Sequence, residues 1–218
     1  MATLLMRFIA PMQAWGTQSR YGHRDTGLEP SKSGVVGILG AALGRPRDAD
    51  LRDLAALRLG VRVDRQGQMR RDYHTAGSGG FMKIDGKVER GNIMVTERYY
   101  LADAAFLVCL EGEWPLLSQI DAALRDPVYP AFMGRKAFPP ACPLWMENGL
   151  LDVPLDQALA YTPPVVPLAA PRRLRVVVDD PLGSVIRHDD PVSFQERRFL
   201  PRMVSIYMVD APSPAPEE

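Results

Sequence analysis

The stretch APMQAWGTQSRYGHRDTGLEPSKSGVVGILGAALGR, residues 10–45, begins where an apolar run ends and closes on a helical pattern bearing Gly34, Gly37, Gly40 and Gly44. Just upstream, TLLMRFI (3–9) reads as a mostly buried strand. SKSGVVGILGAALG (31–44) reads as a helix, with Ser31 or Ser33 as N-cap and Gly44 near the C-terminus. Each interior glycine weakens a helix by about 1 kcal/mol relative to alanine, so four of them need a reason. A phosphate loop is not that reason, because there GK precedes Ser or Thr, whereas here Lys32-Ser33 precedes Gly34. Nor is a dinucleotide fingerprint, since the first GxG is missing. The spacing puts Gly37, Gly40 and Gly44 on roughly one side of the helix. Two readings follow: close packing on a sheet, or a bare backbone face that something else approaches.

Outward from this stretch the chain alternates strands and helices. RPRDADLRDLAAL (45–57) reads as a second short helix with Leu51, Leu54 and Leu57 on one side, and RLGVRVD (58–64) as a strand. Residues 69–101 carry GSGG, an Asp85-Gly86 turn and the alternating NIMVTERYY, the marks of a hairpin with a mobile tip. AAFLVCLEG (104–112) reads as a buried strand, and EWPLLSQIDAALRD (113–126) as an amphipathic helix with proline near its start. The order is that of an α+β, ferredoxin-like (RRM-like) βαββαβ unit with an inserted hairpin. RMVSIYMV (202–209), or alternatively RRLRVVV (172–178), is expected to close it. Residues 127–171, rich in proline and aromatics, read as ordered irregular loop, and 211–218 as a disordered tail.

The chain has 218 residues, enough for a substantial core in one domain or one domain with an excursion. No apolar run approaches a membrane span, and the N-terminal run is too short and interrupted for a signal peptide. A cytoplasmic protein without membrane contact is expected. Cys109 and Cys142 form no CxxC, and His23, His74 and His188 lack metal spacing, so neither metal nor cofactor is expected. No nucleophile elbow and no carboxylate pair stands out, and no catalytic residue is assigned. The formal net charge is zero, yet residues 1–100 hold 16 Lys and Arg against 10 Asp and Glu, and residues 101–218 the reverse. Such a division fits a protein that grips a polyanion on one side, although scatter over a solvated surface gives it too.

Four clusters carry candidate chemistry. The loop MQAWGTQSRYGHRDTG holds Gln13, Trp15, Gln18, Arg20, Tyr21, His23 and Arg24. Flat rings among guanidinium and amide groups suit unpaired bases, while Trp15 by itself equally suits a plug in the core. The helix start at Lys32, Ser33 and Gly34 offers free N–H groups to an anion. RRDYHT (70–75) sets Arg71, Tyr73 and His74 just before the hairpin, with alternation placing Arg71 and Tyr73 opposite His74. A Tyr/His pair is suited to acid–base work on a ribose hydroxyl, but no second partner is apparent. GRKAF places Arg135 and Lys136 beside Phe132, Gly134 and Phe138, either a phosphate or base contact or a solvated turn. Arg197, Arg198 and Arg202, near acids, read as surface ion pairs.

APMQAWG, SKSGVVGILGAALG, RDYHTA and YPAFMGRKAFPPACPLW, in this order and at these separations, resemble the CasD family, a Cascade subunit of type I-E CRISPR systems within the RAMP superfamily. The family's first segment maps to Ala10–Gly16, with Ala10 where glycine is usual; its helix start maps to Ser31–Gly34; RDYHT is intact at Arg71–Thr75; and its GRR-type segment reads Gly134, Arg135 and Lys136, with altered spacing beyond. The resemblance implies a ferredoxin-like palm at 1–74 and 99–210 with a β-hairpin thumb at 75–98. It implies a non-catalytic RNA-binding subunit that holds the 5′ handle of crRNA and caps the backbone of a ribonucleoprotein complex for antiviral defence. The implied partners are crRNA, the CasC backbone subunit, the large CasA subunit, and target DNA indirectly through guide pairing.

On that reading Arg20, Arg24, Lys32, Arg71, Arg135 and Lys136 neutralise phosphates, with Gly134 beside them. Trp15, Tyr21, Tyr73 and Phe132 stack, Gln13 and His74 read base edges or the 2′-OH, and the main chain of Ser33 and Gly34 holds a phosphate. The alternatives are a metal-independent endoribonuclease that processes precursor crRNA through Tyr73 and His74, and a pure scaffold for the large subunit.

Overall fold

The computed structural model describes residues 1–17, 22–77, 79–83, 85–170 and 172–212. The chain opens with β1 (Ala2–Ile9), two short strands β2 (Met12–Gln13) and β3 (His23–Arg24), helix α1 (Lys32–Ala42), one helical turn α2 (Arg52–Ala55) and β4 (Arg58–Arg65). The hairpin follows: β5 (Gln68–Ala76), the small pair β6 (Phe81–Met82) and β7 (Val88–Glu89) near its tip, and β8 (Met94–Ala102). Then come β9 (Ala105–Gly112), α3 (Trp114–Arg125), β10 (Trp145–Leu151), α4 (Leu155–Tyr161), β11 (Arg173–Asp179), β12 (Val185–Ser193) and β13 (Arg198–Asp210).

Seven strands form one antiparallel sheet in the order β10-β1-β9-β4-β11-β13-β12. The fold is mixed α+β. β1 and β9 are buried on both faces, which is why they read as continuous apolar runs. Leu4, Met6 and Phe8 meet Val35 and Leu39 of α1 and Leu117 and Ile120 of α3 in the larger core. On the other face Leu5, Leu107 and Cys109 meet Leu155, Ala158 and Leu159 of α4. Burial in that second core raises the Cys109 thiol well above its usual range, so it is an inert packing group.

Three expectations are corrected. The strand that pairs with the outer edge of β1 is β10, through Thr3↔Leu151, Leu4↔Leu150 and Met6↔Trp145. The expected 202–209 lies instead within β13, and 172–178 supplies β11, both in the far half of the sheet. WMENGLL escapes a search for alternation because Asn148 takes a positive φ of 52° and the register slips there. The segment 127–171 also contains α4, whose seven residues are too short to impose a visible helical period. The expected helix at 45–57 shrinks to one turn, yet Leu51, Leu54 and Leu57 are buried together as the pattern predicts.

β5 pairs with β8 from Gln68↔Ala102 to Ala76↔Met94, and β5 is exposed throughout. β2 joins β8 antiparallel, while β3 joins it parallel through His23↔Glu97 and Arg24↔Arg98. The hairpin is thereby tied to the loop between β1 and α1.

A fully buried ion pair holds α4 in place. All five donors of the Arg62 guanidinium are used: two on Asp64, and one each on the carbonyls of Leu159, Thr162 and Pro163, the contacts to Leu159 and Thr162 both at 2.7 Å. Among the described residues, no helix is long and apolar enough to cross a membrane.

Candidate functional site

α1 begins in a corner that the chain itself fills. Ser31 caps the helix, its Oγ accepting from the Gly34 N–H at 3.2 Å. The Lys32 N–H donates to Asp189 at 2.8 Å, and the Lys32 ammonium reaches Asp179 at 3.0 Å and Asp190 at 3.5 Å. Arg202 bridges Asp179 and Asp189 from the other side. Lys32 is therefore buried and neutralised rather than presented to a phosphate, and the Gly34 N–H is already spent. Arg202, expected as a surface ion pair, belongs to this buried network.

Gln13 and Trp15 are also corrected. Both are buried, and the Trp15 indole donates to Gln13 Oε1 at 3.2 Å while Gln13 Nε2 donates to the carbonyls of Ala104 at 2.8 Å and Phe8 at 3.3 Å. Trp15 stacks on Phe8 and presses against Gly34, where an added Cβ would lie 2.9 Å from its ring. Gln13 reads no base edge. It satisfies buried backbone, and Trp15 is the core plug of the alternative reading.

Beside this corner lies a cleft of about 450 Å³. Trp15, Ser31, Ser33 and Gly34 are among the residues that line it. Arg24, Arg98 and Arg135 converge on it. The parallel bridge between β3 and β8 sets Arg24 next to Arg98. Arg135 is held by a turn: the Met133 N–H donates to Phe138 O at 2.7 Å, and the Ala14 N–H to Met133 O at 3.0 Å. Gly134 in that turn has φ +83°, and an added Cβ would fall 1.7 Å from Ala14 O, so no other residue fits. Arg135 Nη2 donates to the carbonyls of Tyr99 at 2.8 Å and Arg24 at 3.4 Å. Arg98 Nε donates to Thr96 Oγ1 at 3.2 Å.

Among the described residues, none of these three arginines forms an ion pair with a carboxylate, although Asp25 also lines the cleft. Burial lowers the pKa of Arg135, and the charges of Arg98 and Arg24 lower it further, against weaker opposition from Asp25 and Asp72. The cleft is thus a half-buried concentration of positive charge, three arginines against the one carboxylate of Asp25 among its described lining residues. Its lining also includes two aromatic rings, Phe194 in the turn after β12 and Phe199 at the start of β13, with ring centroids 6.4 Å apart.

Of the residues singled out in the sequence, Trp15, Arg24, Ser33, Gly34, Gly134 and Arg135 line this cleft. Phe132 and Lys136 line an adjoining groove of about 890 Å³, floored by Gly37 and Gly40. Arg71, Tyr73 and His74 lie on exposed β5, outside both. Arg71 pairs with Glu97 at 3.3 Å. Gln18, Arg20 and Tyr21 lie outside the described residues. Arg98, Phe194 and Phe199 were not anticipated. Alternation in NIMVTERYY marks Arg98 as a strand residue, but only the pairing with β3 brings it to Arg24. Among the described residues no cluster of His, Cys, Asp and Glu is able to hold a metal ion.

The model of the family described as CRISPR-associated protein (Cas_Cas5) matches residues 3–205. The chain is 34% identical over 175 residues to the CRISPR system Cascade subunit CasD of Escherichia coli (strain K12), covering 73% of this chain and 77% of that protein. A solved structure described as the crystal structure of a Cas protein is 40% identical, with a TM-score of 0.80 over 98% of this chain and all of the other. A chain of a CRISPR RNA-guided surveillance complex is 31% identical, with a TM-score of 0.84 over 97% of this chain and 91% of that one.

Proposed function

The chain belongs to the CRISPR-associated Cas5 family, and from that membership we propose that it is a non-catalytic RNA-binding subunit of a Cascade-type complex, holding the 5′ handle of the guide RNA. One observation carries this reading: Arg24, Arg98 and Arg135 meet in a half-buried cleft and, among the described residues, none of them is ion-paired with a carboxylate. Folded chains seldom gather like charges without a counterion, and a polyanion supplies one. Arginine forks suit phosphate oxygens, and RNA recognition relies on splayed single strands.

The strand order β10-β1-β9-β4 with α1 and α3 on one face supports a ferredoxin-like palm, with the β5–β8 hairpin as its thumb. In this reading the palm cleft takes the handle, and the exposed Arg71, Tyr73 and His74 of β5 face either RNA or a neighbouring subunit. The partners are the CasC backbone and the large CasA subunit, in the cytoplasm, and target DNA is reached through guide pairing. An acid–base pair at Tyr73 and His74 is disfavoured because adjacent strand residues point to opposite faces.

The test is RNA retention in the assembled complex. Arg98→Glu and Arg135→Glu are expected to release the guide RNA; unchanged RNA occupancy in both overturns the reading in favour of a scaffold. Incubating the chain with labelled repeat RNA in EDTA is expected to leave the RNA intact. Specific cleavage lost on His74→Ala would establish the nuclease instead.

A further inference from the structure

We propose that the cleft seats one unpaired nucleotide of the bound RNA, its phosphate on Arg24, Arg98 and Arg135 and its base against the rings of Phe194 and Phe199. This rests on the RNA-binding reading and assigns a role to the β12–β13 turn that the sequence did not disclose.

The lining of the cleft is of two kinds, three guanidiniums and two aromatic rings. A sulfate or a carboxylate ligand would use the first and leave the second wet. An apolar peptide would use the second and leave the first uncompensated. A nucleotide uses both, because an anionic phosphate and a flat apolar ring are joined in one unit.

The aromatic pair is held for this role. Phe199 is 40% exposed, although a phenylalanine gains most from burial. Its neighbour Phe194 is tilted 57° to it and has its carbonyl fixed by Arg47 Nη2 at 3.2 Å. Just behind the turn, Arg202 of β13 donates to Asp189 of β12 at 2.7 Å, so the two strands on either side of it, β13 with Phe199 among them, are tied together. The backbone that carries the rings is therefore anchored, which lowers the ordering that stacking on them would cost. Stacking accepts any base, so this position contributes affinity and register rather than sequence choice.

The experiment uses the assembled complex and guide RNAs that each carry one abasic nucleotide, placed in turn along the 5′ handle. RNA retention is measured for the native chain and for the Phe194→Ala/Phe199→Ala variant. One abasic position is expected to weaken retention by about tenfold or more in the native complex, and to make no further difference in the variant. Arg98→Ala is expected to weaken retention wherever the abasic position lies. Phe194→Leu/Phe199→Leu keeps apolar bulk without aromatic faces and must give the same loss, which covers an alanine variant that fails to assemble. If the native complex retains RNA but no position loses its effect when the rings are removed, the inference is overturned and the RNA-binding reading stands. If arginine substitutions in the cleft leave retention unchanged, both fall together.

Discussion

Two groups of cations flank the start of α1, and they are opposites. Lys32 and Arg202 are buried among Asp179, Asp189 and Asp190, and nearby Arg175 and Arg187 share Glu29. Arg24, Arg98 and Arg135 stand a short distance away with only carbonyls and a hydroxyl as described hydrogen-bond partners. Net charge hides the distinction, since the whole chain sums to zero. What separates an internal fastening from a binding surface is whether the folded chain supplies the counterion. The first group holds the loop, α1 and the far half of the sheet together. In the proposed function, RNA phosphate neutralises the second.

That division is broken most directly by removing an acid from the first group. Asp179 accepts from Lys32, Arg202 and the Leu59 N–H. Asp179→Ala leaves Lys32 with Asp190 alone and Arg202 with Asp189 alone, and frees the Leu59 N–H, and is expected to cost about 2–4 kcal/mol in urea denaturation. A loss under 1 kcal/mol would mean that the network is ornamental and Lys32 is free to serve RNA. The next effect comes from Gly34, which lies between the two groups. An added methyl meets the Trp15 ring at 2.9 and 3.0 Å, and that ring is locked between Phe8 and Gln13. Gly34→Ala is expected to destabilise by about 1–3 kcal/mol through overpacking, and to disturb the lining of the cleft.

Arg98 gives the contrary outcome. Among the described residues it has no paired acid to lose, so Arg98→Ala is expected to leave stability within about 0.5 kcal/mol. RNA affinity should fall instead, and the slope of log K against log salt should flatten by about 0.7, the value for one phosphate contact on a single strand. Loss of stability comparable to that of Asp179→Ala would show that the two groups are one network.

The sequence disclosed what is local and concealed what is distant. β1, β4 and β9 were legible from their apolar runs and alternation, α1 from its Ser31 cap and α3 from its amphipathic period and N-terminal proline. β10 was hidden by the irregular Asn148, and α4 by its brevity. At the site, Arg24, Ser33, Gly134 and Arg135 reach the cleft, yet Lys32 was misread because its partner Asp179 is 147 positions away. Gln13 and Trp15 looked like a base-binding pair because amide and indole serve a buried backbone as well as they serve a nucleobase. Phe194 and Phe199 sit in a segment whose arginines drew attention to charge, and no local pattern links them to residue 24 or 98.

The smallest effect concerns the helix with which the chain's reading begins, and it separates the two ends of α1. Gly34 is committed to Trp15, but a Cβ at Gly40 meets nothing within 4 Å, and one at Gly37 meets only Phe194 at an ordinary 3.7 Å. Close packing on the sheet is therefore not what these two glycines permit; Val35, Val36 and Leu39 do that packing, and the glycines face the groove. Since nothing clashes, Gly40→Ala should simply recover helix propensity, stabilising the chain by up to about 1 kcal/mol. RNA retention should be unchanged, because Gly40 lies outside the arginine cleft. Reduced retention despite the gain in stability would extend the binding surface along α1 into the adjoining groove, and the boundary drawn here between a filled corner, a charged cleft and a bare helix face would have to move.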